Sequence, residues 1–203
     1  MRERSRMRLS LIYLACFAIC GFLYGACHEL IGHGLTTIIL GGRIASLHLF
    51  GFRVFPNFGW SGIPGGLGID DIPTQKHQDI VIIMGPISTW LVSLLAVVVL
   101  WIRRPKGLLR IVLVCLSLWC YDLLCETWMG WGIPQYLFFS SRPPLHHYEA
   151  AVRLGVPISL IYIFSIGTSV CILAGVVLRL ILDYKQQKLQ HTTQEAIYAR
   201  GRN

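Results

Sequence analysis

The chain has 203 residues, of which 54% are hydrophobic and only 14% charged, and its mean hydropathy is +0.59. Soluble domains carry about 25% charged residues, so this composition excludes an ordinary soluble globular protein and points to lipid as solvent. The net charge of +8 is not gathered into a compact basic face interleaved with aromatics, which argues against nucleic acid as a partner.

The chain opens on Arg2, Arg4, Arg6 and Arg8 and then turns apolar from Leu9 to Leu40. An Arg-rich start before an apolar run has the form of a signal peptide, and Leu23-Tyr24-Gly25-Ala26-Cys27 faintly resembles a lipoprotein cleavage box. Tyr24 fits that box poorly and the apolar character resumes after Cys27, so the reading is an uncleaved anchor. Further apolar stretches run from Ile80 to Ile102, Leu108 to Trp128 and Leu154 to Leu182. Each is about the 20 residues that a membrane span needs. The first is too long for one upright helix, which predicts tilt, a kink or a break near Gly32–Gly34.

The basic residues set an orientation. Thirteen of the 18 Lys and Arg fall in the N-terminal tail, in the connection holding Arg103, Arg104, Lys106 and Arg110, or between Arg179 and Arg202. The two longer connections hold only Arg43, Arg53, Lys76, Arg142 and Arg153. The positive-inside rule then places both termini in the cytoplasm. All seven cysteines lie in apolar segments without paired zinc-finger spacing, which reads as small, reduced side chains.

The first apolar stretch contains His28-Glu29-Leu30-Ile31-Gly32-His33. Imidazoles are common zinc ligands, and a glutamate beside them can serve as general base toward a metal-activated water. The metallopeptidase pattern His-Glu-x-x-His spaces its histidines by four residues on one helical face. Here the spacing is five, which on a regular helix separates the side chains by about 140° rather than about 40°. One turn of i to i+5 hydrogen bonding restores a shared face, and Gly32 stands where the backbone needs that freedom. If both rings bind one metal, their nitrogens should approach to about 3–4 Å. The alternative is a structural polar cluster, although three ionisable groups in six residues are costly in an apolar segment.

After Gly41-Gly42, residues 43–55 lose helical periodicity and are rich in aromatic and branched residues, which predicts one or two short strands at the membrane surface. Such an edge beside a metal site can hold an extended peptide by strand addition, or can form a plain hairpin capping the helices. From Pro56 to Pro73 the chain is rich in Gly and Pro and reads as a loop. The connection from Gly130 to Ala151 carries His146 and His147, and adjacent histidines usually mark a solvated loop.

A catalytic zinc usually takes three protein ligands. Only Glu29, Asp122 and Glu126 are carboxylates within apolar spans, and Asp122 and Glu126 share a helical face. A carboxylate in lipid needs a compensating cation or metal, so that face is expected to meet His28 and His33. Asp122, deeper in the span, is the favoured third ligand. Glu126 follows as an alternative ligand or as a group orienting a histidine, with His48 or a loop histidine next.

With His28-Glu29 and His33 on the first core helix, Gly41-Gly42 before a strand-like segment, Gly85-Pro86 opening the next span and Asp122 in the third, residues 20–126 resemble the site-2 protease family of membrane-embedded zinc metallopeptidases. Thr89 stands where that family commonly has asparagine, and Leu123 follows Asp122 where it has glycine. The six-residue motif is also similar to the His-Glu-x-x-Gly-His signature of a zinc dipeptidyl-peptidase family, which implies that the longer spacing can hold zinc. The resemblance implies Zn2+ on His28, His33 and Asp122, Glu29 as catalytic base, and a substrate peptide bond in or near a transmembrane segment of a membrane protein.

The expected fold is an all-α integral membrane protein with about four transmembrane helices and a small strand-like hairpin after the first. It forms one membrane-embedded domain over residues 1–203 with short basic cytoplasmic tails. Two other functions compete with the peptidase. One is a non-catalytic membrane scaffold or degenerate peptidase. The other is a membrane di-iron oxidoreductase, which would want more histidines than His28, His33, His146 and His147.

Overall fold

The computed structural model describes residues 2–63, 65–124 and 145–200. Helix α1 (Arg2–Ala26) passes directly into a π-helical segment (Cys27–Leu35) and a last turn, α2 (Thr36–Ile39). A four-stranded antiparallel sheet follows: β1 (Arg43–Leu49), β2 (Phe52–Phe55), β3 (Gly59–Trp60) and β4 (Gly65–Asp70), in the order β3-β2-β1-β4. Helix α3 (Gln75–Arg103) then turns sharply into α4 (Gly107–Ser117), which tightens into a 3-10 turn (Leu118–Cys120) and resumes helical over residues 121–124. Helix α5 (Leu145–Arg153) and the long α6 (Ile158–Arg200) complete the described chain.

Among the described residues, four helices are long and apolar enough to cross a membrane: Ser10–Ile39, Gln75–Arg103, Gly107–Leu124 and Ile158–Gln194. Their exteriors are apolar, with Phe17, Ile39, Ile102 and Ile163 all exposed. Their contacts with one another instead use small polar residues, since Thr89, Ser93, Ser117, Ser165 and Ser169 are fully buried. Small residues let helix backbones approach closely, and their hydroxyls bond to carbonyls. Ser93 Oγ donates to the Leu116 carbonyl across α3 and α4, and Ser169 Oγ donates to that of Cys120. Ala96, Leu100, Leu113 and Val176 form a compact apolar cluster among α3, α4 and α6.

Two segments differ from the sequence expectation. Residues 56–73 supply β3 and β4 as well as loop. Glycine-rich strands read as loops because glycine disfavours strands in isolation. In β4 the glycines instead allow close packing: a Cβ on Gly68 would collide with the Ser46 hydroxyl across the ladder.

The second difference is α5, expected as a solvated connection. Ala150 and Ala151 are buried on the face turned to the bundle. Arg153 clamps Asp79 of α3, donating from Nη2 to Oδ1 at 2.7 Å and from Nε to Oδ1 and Oδ2 at 3.0 and 3.1 Å. This two-pronged geometry is the strong form of a carboxylate–guanidinium pair. It fixes α5 against α3.

Candidate metal centre

The five-residue spacing of the histidines is accommodated by the backbone. The helix widens to π geometry from Cys27 to Leu35, and His28 and His33 come onto one face. Their Nε2 atoms lie 3.1 Å apart, inside the separation anticipated for two ligands of one ion.

The same segment has to approach α3 closely. A Cβ on Gly32 would stand 2.5 Å from Gly85 Cα, and one on Gly85 would stand 2.6 Å from Nε2 of both His28 and His33. Two glycines face one another at this crossing, and neither tolerates a side chain. Pro86, next in sequence, lies inside α3 and removes one helical N–H at that level.

The distal nitrogens are both held. His28 Nδ1 is 2.7 Å from Asp122 Oδ2, and His33 Nδ1 is 2.7 Å from the Val81 carbonyl oxygen. A carbonyl only accepts, so His33 Nδ1 carries a proton and its Nε2 presents a lone pair when the ring is neutral. Asp122 places His28 in the same tautomer. Two imidazole lone pairs facing one another at 3.1 Å repel. Only a proton or a metal ion between them makes the arrangement favourable.

Asp122 was expected as the third ligand. The structure brings it to His28 but sets it on the distal nitrogen, where Thr89 Oγ1 also donates to Oδ2 at 2.6 Å. Thr89 thus positions this carboxylate. The third ring at the centre is His147 of α5. His28, His33 and His147 each offer a nitrogen, and the three lie within 4.8 Å of one another. The His147 ring stacks on His33 with centroids 5.9 Å apart.

Adjacent histidines at 146 and 147 read as a loop in the sequence, whereas His147 lies on α5. A signal was present, since His147, Ala150, Ala151 and Leu154 recur at helical spacing and mark one face. Glu126 lies outside the described residues, as do Cys125 and the side chain of His146. His48 lies on β1, and Cys27 contacts Ser88 Oγ at 3.9 Å; neither belongs to the histidine group.

Glu29 follows His28 and is buried at 8% exposure, and its Oε2 has no hydrogen-bond partner among the described residues. A buried carboxylate oxygen without a donor is costly and calls for a partner such as a water or an ion. Its Oε1 faces β4, where a Cβ on Gly65 would lie 3.1 Å away. Beside it opens a cavity of about 260 Å³ lined by Tyr24, Gly25, His28, Glu29, Leu49, Phe50, Gly65 and Asp122. The centre therefore has three nitrogen donors, two groups fixing their orientation, one unsatisfied carboxylate, and open volume between helix and sheet edge.

No family model matches this chain, and neither the curated proteins nor the solved structures contain a match for it.

Proposed function

We propose that this chain is a membrane-embedded zinc peptidase, with the ion held by His28, His33 and His147. The observation that carries the reading is the pair of facing Nε2 atoms 3.1 Å apart, each with its Nδ1 committed to an acceptor. Three imidazoles with one position left for water is a common donor set of catalytic zinc, and the residues present fit it. When bound, zinc would supply Lewis-acid polarisation of a carbonyl and acidify a water. Metal ligands that donate their second nitrogen to a carboxylate or carbonyl are held in one tautomer, which is the role of Asp122 and Val81 here.

Glu29 then acts as general base. Its Oε2, without a hydrogen-bond partner among the described residues, accepts the proton of the attacking water and returns it to the departing amine. The terminal strand β4 lies over Glu29 through Gly65. An extended substrate paired along that edge would bring its backbone to the cavity by strand addition.

The basic termini place α1 with its start in the cytoplasm. His28 stands 19 residues beyond Leu9, where the apolar run begins after Arg8, roughly 29 Å along a helix, close to the far boundary of a hydrocarbon core about 30 Å thick. The substrate is accordingly a peptide bond at the outer end of a membrane segment.

Metal analysis of the purified protein beside a His33→Ala variant tests the ion, with about one zinc expected per chain and none in the variant. Equal zinc in both, or no zinc in either, overturns the reading and leaves a proton-bridged structural cluster. For the chemistry, Glu29→Gln should retain zinc and lower turnover of a membrane-peptide substrate by about 10²–10⁴-fold. Undiminished cleavage in that variant removes Glu29 from the mechanism.

A further inference from the structure

A second polar cavity lies at the opposite end of the helices and plays no part in the metal centre. Its volume is about 300 Å³, and it is lined by Arg104, Pro105 and Lys106 from the α3–α4 turn, Arg110 of α4, and Arg179, Asp183, Gln186, Gln187 and Gln190 of α6. Four cations against one carboxylate leave three positive charges unmatched within the lining.

The one carboxylate is shared. Asp183 lies 2.5 Å from Arg179 Nη2 and 3.4 Å from Arg110 Nη1. Arg179 is 4% exposed, and its buried Nε has no hydrogen-bond partner among the described residues. Its guanidinium also lies over the Trp101 ring at 5.9 Å, and Trp101 in turn donates to the Gly175 carbonyl. One carboxylate divided between two guanidiniums, one of them buried, leaves positive charge that a further anion would offset. At the rim, α4 begins after Lys106 with no side-chain cap. The positive end of its dipole therefore adds to the same field.

We propose that this cavity binds a phosphate group, with Arg179 and Arg110 as its floor and Arg104 and Lys106 as its rim. Guanidinium forks match phosphate oxygens, and a basic pocket between membrane helices is a natural receptor for a phosphorylated headgroup. The glutamines at positions 186, 187 and 190 supply neutral donors at the mouth, which suits ester or hydroxyl oxygens around the phosphate. The phosphate belongs to an anionic lipid of the leaflet that meets the basic termini, or to a soluble phosphate compound from the same side. The recognition chemistry is the same for both.

The test uses the full chain purified in a neutral detergent and titrated separately with short-chain phosphatidylglycerol, phosphatidylcholine and inorganic phosphate, followed by calorimetry and native mass spectrometry. Phosphatidylglycerol or inorganic phosphate should bind at least tenfold more tightly than phosphatidylcholine. The exposed double variant Arg104→Gln/Lys106→Gln should weaken binding by about fivefold per charge removed, with zinc content unchanged. Competition of phosphatidylglycerol by inorganic phosphate assigns a soluble phosphate compound, and lipid binding that phosphate does not displace assigns the headgroup. Arg179→Gln should abolish binding; where that variant fails to fold, the double variant carries the test. Equal binding of phosphatidylglycerol and phosphatidylcholine overturns the proposal, as does the absence of any binding or an unchanged double variant.

Discussion

The two polar centres of this protein sit at opposite ends of its apolar helices and are built on opposite principles. The histidine centre is held by pairing: His28 on Asp122, His33 on Val81, and α5 clamped to α3 by Arg153 and Asp79. The arginine centre is overcharged, with one carboxylate divided between two guanidiniums. An arrangement of the first kind fixes lone pairs in space, which suits a metal. One of the second kind leaves a field, which suits an anion. On the two proposals above, each would be completed by a group the chain itself does not supply.

The largest effect expected from a single substitution falls at a residue with no functional group. Gly85→Ala would put a methyl 2.6 Å from both Nε2 atoms. Zinc binding should be lost outright while phosphate-group binding at the other end persists. Zinc content and anion titration on one preparation decide this, and loss of both would mean that the α1–α3 crossing, rather than the site, had failed.

Next comes Asp122→Asn. It keeps the shape of the hydrogen bond to His28 but removes the carboxylate charge, and loss of such an orienting partner typically lowers metal affinity about 10–100-fold. Competition against a chelator of known affinity reads this directly. An effect as large as that of His33→Ala would return Asp122 to the ligand set.

A smaller change is expected from Arg153→Gln, which leaves the histidines intact but releases α5. His147 is then held less firmly, so zinc affinity should fall severalfold while Glu29-dependent chemistry persists. Unchanged affinity would show that the α3–α5 ion pair does not position His147. Smallest of all is the effect of Arg104→Gln/Lys106→Gln on the metal centre, where turnover should stay at the wild-type level; a drop would couple the two ends.

Much of this is legible in the chain because it is local. The spacing of His28 and His33 by five residues demands a widened helical turn, and the π segment supplies it. Asp122 in an apolar span demands a partner, and it has one in His28. The four apolar helices follow from run length alone. The strands of residues 59–70 are not legible, because their glycines answer to Ser46 and Glu29, which lie far from them in sequence.

The sequence by itself determined the apolar helices, the need for a π turn or a break between His28 and His33, and the presence of a histidine-carboxylate cluster, since each depends on backbone period and on the cost of polar groups in lipid. Only the tertiary structure decided which nitrogen Asp122 takes, that His147 joins the cluster, and that Arg179 is buried beside Asp183 with an unmet donor. The physical reason is distance along the chain. A helix fixes the direction of residues within a few positions of one another, whereas the meeting of His33 with His147, or of Arg110 with Asp183, depends on how small-residue surfaces on α3, α4, α5 and α6 pack together.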